Sequence, residues 1–120
     1  ARIGGDEFVL IMDKLNEAHV LQPILERLLA DVTRDFQFEG ITIKLNASAG
    51  IATFPDHASS ADALLVAADL ALYRAKDLNG TSYVRYEPHM GAEFIEHRSL
   101  MRPIEADSSS LSEIGVRHAI

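Results

Sequence analysis

Leu21, Ile24, Leu25, Leu28, Leu29 and Val32 recur at the three- and four-residue steps of one helix face, with Glu26, Arg27, Asp31 and Arg34 opposite them. The spacing predicts an amphipathic helix over about residues 16–34 that covers a sheet. Asn16 is its expected N-cap and Glu17 suits the positive end of the helix dipole. Pro23 lies deep for that start, which predicts a kink there or a start nearer Gln22. A second stripe, Leu64, Leu65, Ala68, Ala71, Leu72 and Ala75, predicts a helix from the Ser59-Ser60-Ala61-Asp62 cluster to about Leu78, with Ser59 and Asp62 spaced as a capping box.

Between the two helices the period changes to two. Ile41, Ile43, Leu45, Ala47, Ala49 and Ile51 alternate with Thr42, Lys44, Asn46, Ser48 and Gly50, which predicts one long strand with a single face on the core. Gly40 marks the turn before it, and Phe54-Pro55-Asp56-His57 ends it. The small residues Ala47-Ser48-Ala49-Gly50 imply close packing, by a helix or by a ligand. An apolar strand follows Gly5 through Phe8 to Met12, and Tyr83-Val84-Arg85-Tyr86 reads as a last, edge strand whose tyrosines pack across strands. Beyond Glu87-Pro88 the periodicity weakens: a short helix is expected over Glu93 to Met101, Pro103 interrupts, and Asp107-Ser108-Ser109-Ser110 reads as flexible linker.

Composition narrows the class without naming a chemistry. The 120 residues suffice for one domain, and 48% hydrophobic content with mean hydropathy near zero (+0.04) describes a soluble globular chain with no apolar run long enough to span a membrane and no visible signal sequence. There is no cysteine, which excludes disulfides and thiolate metal sites and fits a reducing cytoplasm. A net charge of −7 argues against a general nucleic-acid-binding surface. An anionic ligand would have to be held locally, by a metal, backbone N–H groups and a few cations. His19, His89, His97 and His118 show no spacing that gathers them on one metal.

The candidate chemistry sits at Gly4-Gly5-Asp6-Glu7-Phe8. Two glycines can supply the positive φ of a tight hairpin and leave the main chain bare for a ligand; two adjacent carboxylates suit a hard cation beside a phosphate. A solvated Gly-Gly-Asp hairpin is the plain alternative. The whole pentapeptide, however, arises by chance in only about one in ten thousand chains of this length. It resembles the signature of the GGDEF family, the diguanylate cyclases. A second block, Ala68-Asp69-Leu70-Ala71-Leu72-Tyr73-Arg74-Ala75-Lys76, is similar to the other signature block of that family, in which the lysine contacts the phosphates of GTP. Taken alone, Lys76 would be read as a cation favouring the helix C-terminus, together with Arg74. Gly50-Ile51-Ala52 matches a third, smaller-residue stretch, and the resemblance is nearly continuous from residue 1 to about residue 87.

The resemblance implies an α/β (α+β) fold, an antiparallel-rich central sheet flanked by helices and related to the nucleotidyl cyclase core. Residues 1–87 would be the C-terminal part of the domain and residues 88–120 a linker-like tail, partly helical or disordered. It implies condensation of two GTP to cyclic di-GMP and pyrophosphate across an antiparallel homodimer, with Mg²⁺ or Mn²⁺. On the matching positions Asp6 would ligate metal and help deprotonate the attacking 3′-OH, Glu7 would support the metal site, Gly4 and Gly5 would let the nucleotide lie on the hairpin, and Lys76 would hold phosphate. Glu87-Pro88-His89-Met90 resembles the start of the linker that joins many such domains to an EAL phosphodiesterase domain.

Two departures keep other readings open. Where the family places Gly, then Arg or Lys, then Asn, this chain has Asn79, Gly80 and Thr81. Asn79 is expected to take the left-handed conformation that ends the helix, while Gly80 removes a phosphate-binding cation whose loss would weaken triphosphate binding by about a few kcal/mol. Only Ala1-Arg2-Ile3 precede the hairpin, so the chain reads as truncated at its N-terminal side, lacking the family's first strand with its metal-binding aspartate and the helices that read guanine. The readings are thus part of a diguanylate cyclase, a degenerate module that binds GTP or a partner without turnover, or a structural and oligomerising fragment.

Overall fold

A computed structural model describes residues 1–13, 18–100 and 113–119. In chain order these form β1 (Arg2–Gly4), β2 (Glu7–Ile11), α1 (Ala18–Val32), β3 (Phe36–Phe38), β4 (Ile41–Ile43), β5 (Asn46–Ala52), α2 (Ala61–Lys76), β6 (Ser82–Arg85), α3 (His89–Leu100) and β7 (Glu113–Ala119). Five strands make one mixed sheet in the order β1-β2-β7-β5-β6, antiparallel at β1–β2 and parallel at the other three pairings. β3 and β4 form a separate antiparallel ribbon. The α+β class expected from the sequence is the class observed, but the central sheet is not antiparallel-rich as expected: only the β1–β2 hairpin pairs antiparallel, and the three other neighbours, joined by helical crossovers or longer connections, run parallel.

β5 is the strand on which the domain is assembled. Ala47, Ala49 and Ile51 face α1, where they join Leu21, Leu25 and Leu29 in one core cluster with Met12, Leu28, Val32 and Tyr83 at its margin. The alternate positions face α2: Ala52 packs with Leu64, Ala67 and Ala68, and Gly50 lies directly under the α2 backbone. Both faces are therefore covered, and Asn46 alone of the strand is exposed. Leu25 is fully buried, which by area transfer contributes about 1.5–3 kcal/mol.

The long strand expected over Ile41 to Ile51 is two strands. The ladder breaks at Lys44-Leu45, and the first piece turns back on β3 through Glu39 and Gly40, both at positive φ (46° and 80°), the pattern of a type I′ turn. The ribbon is two-faced: Phe36, Phe38, Ile41 and Ile43 are exposed, while on the other face the Gln37 side-chain amide donates to Thr42 Oγ1 at 2.6 Å. As for the small residues of β5, helix packing is what they serve, on both sides.

Helix ends also differ in detail from their sequence signals. α1 runs through Pro23 as a helix interior residue rather than starting beside it, and Ile24 is 38% exposed; the expected Asn16 and Glu17 start lies outside the described residues. α2 is capped by Ser60, whose Oγ accepts from the Ala63 amide at 3.3 Å, so Ser59 is not the cap. Its buried stripe contains Ala67 in place of Leu65, which is 37% exposed. At the other end Asp77 is right-handed and the left-handed residue is Gly80 (φ 82°), not Asn79.

β6 forms the edge opposite β1, as expected, but it is not the last strand, since β7 follows it in the chain. Ser82 Oγ donates to the Ala75 carbonyl at 2.8 Å, which ties the start of β6 to the last turn of α2. The region read as a tail supplies α3, which begins at His89, ahead of the expected Glu93, and β7, which pairs with both β2 and β5. The Pro103 and Asp107–Ser110 readings lie outside the described residues. No helix among the described residues is long and apolar enough to cross a membrane.

Candidate nucleotide site

The signature pentapeptide forms a tight hairpin. Ala1 and Val9 exchange both backbone hydrogen bonds at 2.7 Å, and Gly4 pairs with Glu7, leaving Gly5-Asp6 as a two-residue loop. Gly5 has φ 50° and Asp6 does not share the positive sign, the sense of a type II′ turn, which needs glycine at its first loop position. Arg2 Nε donates to the Gly5 carbonyl at 2.8 Å and braces the tip. No atom lies within 4 Å of where a β-carbon would stand on Gly4 or Gly5, so the main chain is open to a ligand. Asp6 is exposed at the tip and Glu7 is half-buried beside it.

Across from Glu7 lies the C-terminal half of α2. Asp69, Leu72, Tyr73 and Lys76 follow one another at helical steps on one face, and together with Glu7 and Phe94 of α3 they line an open cavity of about 240 Å³. Leu72 is buried against β5, so it fixes the rotation of α2 and with it the direction of that face. The Tyr73 and Phe94 rings meet edge to face, centroids 5.1 Å apart at 86°. The structure thus brings Glu7 and Lys76, from the two signature blocks, onto one cavity, while Gly4, Gly5 and Asp6 stand at the exposed tip.

Asp69, Leu72, Tyr73 and Phe94 were not assigned to a site from the sequence. The first three carry a signal, since each lies one helical step from Lys76 or from one another. Phe94 carries none, because its helix has almost no apolar periodicity.

Among the described residues no group of three or more His, Asp or Glu side chains is placed to hold a metal ion. Asp6 at the tip and Glu7 at the cavity are neighbouring carboxylates, the donor type that Mg²⁺ takes one or two of when phosphates and water complete its shell. Lys76, in the last turn of α2, places a point positive charge on the same cavity.

A family model described as "Diguanylate cyclase, GGDEF domain" matches residues 1–82. The chain belongs to the GGDEF family. The chain is 32% identical over 104 residues to "Bifunctional diguanylate cyclase/cyclic di-GMP phosphodiesterase MucR" of Pseudomonas aeruginosa, an alignment covering 87% of this chain and 15% of that protein. It is 35% identical over 77 residues to "Diguanylate cyclase TpbB" of the same species, covering 63% of this chain and 18% of the relative. With "Cyclic di-GMP phosphodiesterase PdeR" of Escherichia coli it shares 30% identity over 97 residues, covering 81% of this chain and 14% of that protein. The chain therefore spans under one fifth of the length of these relatives. No solved structure matches it. The GGDEF match ends at residue 82, so Phe94 and α3 lie beyond it.

Proposed function

We propose that this GGDEF domain is part of a diguanylate cyclase that condenses two GTP to cyclic di-GMP and pyrophosphate in the bacterial cytoplasm. The observation that carries the reading is the shared cavity of Glu7 and Lys76 beside the open Gly4-Gly5 backbone. In the reaction the 3′-OH of one GTP attacks the α-phosphorus of the other and pyrophosphate leaves. Asp6 accepts the proton of the attacking hydroxyl, and Glu7 supports the same site from within the cavity. Lys76 draws the phosphates toward α2, and the glycines allow the nucleotide to lie against the hairpin. A divalent metal bound by Asp6 and Glu7 with the phosphates would supply charge stabilisation at the attacking and leaving oxygens. Each domain carries one such half-site, so the working unit is a homodimer, and an EAL domain is a partner for it in a longer protein.

A second reading is favoured by Gly80. With no side-chain cation at that position, the domain would bind GTP without turning it over, as a regulatory module.

Incubation of the chain with GTP and Mg²⁺ or Mn²⁺, with cyclic di-GMP and pyrophosphate scored by mass spectrometry, separates the two. Product that disappears in Asp6→Ala supports the cyclase reading. Metal-dependent GTP binding without product supports the second, and neither binding nor product leaves a structural fragment.

A further inference from the structure

The ribbon of β3 and β4 presents an apolar face that the chain itself leaves uncovered. Phe36 and Phe38 of β3 are each 55% exposed, and Ile41 and Ile43 of β4 are 66% and 37% exposed. The ladder pairs Phe36 with Ile43 and Phe38 with Ile41, so the four side chains stand on one face in two successive rows. Gln37 and Thr42 pair on the other face, and both are exposed as well. Water thus reaches both sides of a two-stranded ribbon, and such a ribbon is marginal until another layer covers its apolar side. The four positions of that face carry no charge, so two copies of a chain of net charge −7 can meet there without burying a carboxylate.

We propose that this face is a docking surface for a second copy of the chain, ribbon against ribbon. The pattern is its own complement: both phenylalanines are on β3, both isoleucines on β4, and the two rows are alike. Turning one ribbon end over end about a two-fold axis sets Phe36 over Phe38 of the second copy and Ile43 over its Ile41. Each contact then occurs twice, as an isologous interface requires. Two such faces stacked at the spacing of packed sheets make a four-stranded, two-layer core. Area sets the strength. The exposed parts of the four side chains amount to about 400 Å² on each copy and about 800 Å² in the pair, against roughly 1,600 Å² for a stable complex. The dimer is therefore reversible, with a Kd of about 0.1–1 mM. None of the four residues lines the cavity of Glu7 and Lys76, so this contact is separate from the half-sites and does not rest on the nucleotide reading.

Analytical ultracentrifugation of the full chain without nucleotide, from about 20 µM to about 2 mM, tests the proposal. The weight-average mass should climb from 13.2 kDa toward twice that value. Phe36→Thr combined with Phe38→Thr keeps β-branched residues in β3 and should raise the dimer Kd by about tenfold or more. Gln37→Arg, on the opposite face, should leave it within about twofold. At the highest concentration, a mixture of isotope-labelled and unlabelled chain should show NOEs between Phe36 of one copy and Phe38 of the other. That measurement uses the wild type, so it decides the matter even where the double variant loses its ribbon. A chain that stays monomeric throughout overturns the proposal and leaves the face to a different partner. It is overturned equally by a double variant that keeps its ribbon and still dimerises as the wild type does, or by intermolecular NOEs from the ribbon edges or another surface.

Discussion

Gly50 of β5 passes so close beneath Ala68 of α2 that a β-carbon on it would collide with the Ala68 carbonyl oxygen and the Leu72 amide nitrogen, and would lie 2.8 Å from Leu72 Cα. All three obstacles are backbone, which cannot rotate aside as a side chain can. This contact sets the height of α2 above the sheet, and through it the position of Lys76 across from Glu7.

Gly50→Ala should therefore be among the most disruptive single substitutions in the chain. Overpacking ordinarily costs about 1–3 kcal/mol, and with backbone atoms as the neighbours the loss should reach or exceed the upper end. Urea unfolding followed by far-UV circular dichroism measures it. A loss below about 1 kcal/mol would mean that α2 is not seated as described.

His57 lies in the turn after β5, where the Thr53 amide donates to its Nδ1 at 3.0 Å and its ring meets Tyr86 edge to face at 5.5 Å. Burial first, and then the Arg85 guanidinium, hold its pKa below the ordinary 6.5, against an opposing pull from Asp56. With the folded value below the unfolded one, the unfolded chain takes up the proton first as pH falls. The stabilising contribution is full above about pH 6.5 and is lost as pH falls from there through the folded value. Melting temperature should drop over that interval in the wild type and drop less in His57→Gln, whose side-chain carbonyl can still accept from Thr53. Parallel curves for the two proteins would contradict the assignment.

The left-handed backbone at Gly80 makes a similar conflict explicit at the position where the family carries a cation. At φ 82° a β-carbon is strained by roughly 1–2 kcal/mol, so Gly80→Arg should lower stability by about that much. Gly80→Asn should cost less, since asparagine tolerates this region better. No β-carbon clash is present there, so space is not the obstacle. Thermal unfolding of the two variants checks the order. Equal stability of wild type and Gly80→Arg would show that the turn relaxes without cost.

The parts of this fold legible in the sequence are those where one rule acts alone. The stripe of α2 and the hairpin at Gly5 follow from periodicity and from glycine's access to positive φ. The alternation from Ile41 to Ile51 was misleading because two strands in succession share it, and the break at Lys44-Leu45 has no glycine or proline to announce it. β3 escaped notice at three residues, too short for a period. In β5, alternation stops predicting burial because α1 covers one face and α2 the other. For the site, Glu7 and Lys76 were found through the signature blocks. Phe94 reaches the cavity only because α3 folds back on α2, a tertiary fact that local pattern does not encode.

The central claim is that the hairpin and the end of α2 bind one nucleotide, and a backbone NMR titration locates that binding most directly. On addition of Mg²⁺-GTP to the isotope-labelled chain, the amide signals of Gly4, Gly5, Asp6 and Glu7 and those of Tyr73 to Asp77 should shift together, with one common Kd. In Lys76→Ala the same signals should need about tenfold or more nucleotide, the loss expected for one charge-assisted contact to phosphate. Shifts confined to other surfaces, or none up to millimolar nucleotide, would contradict the account.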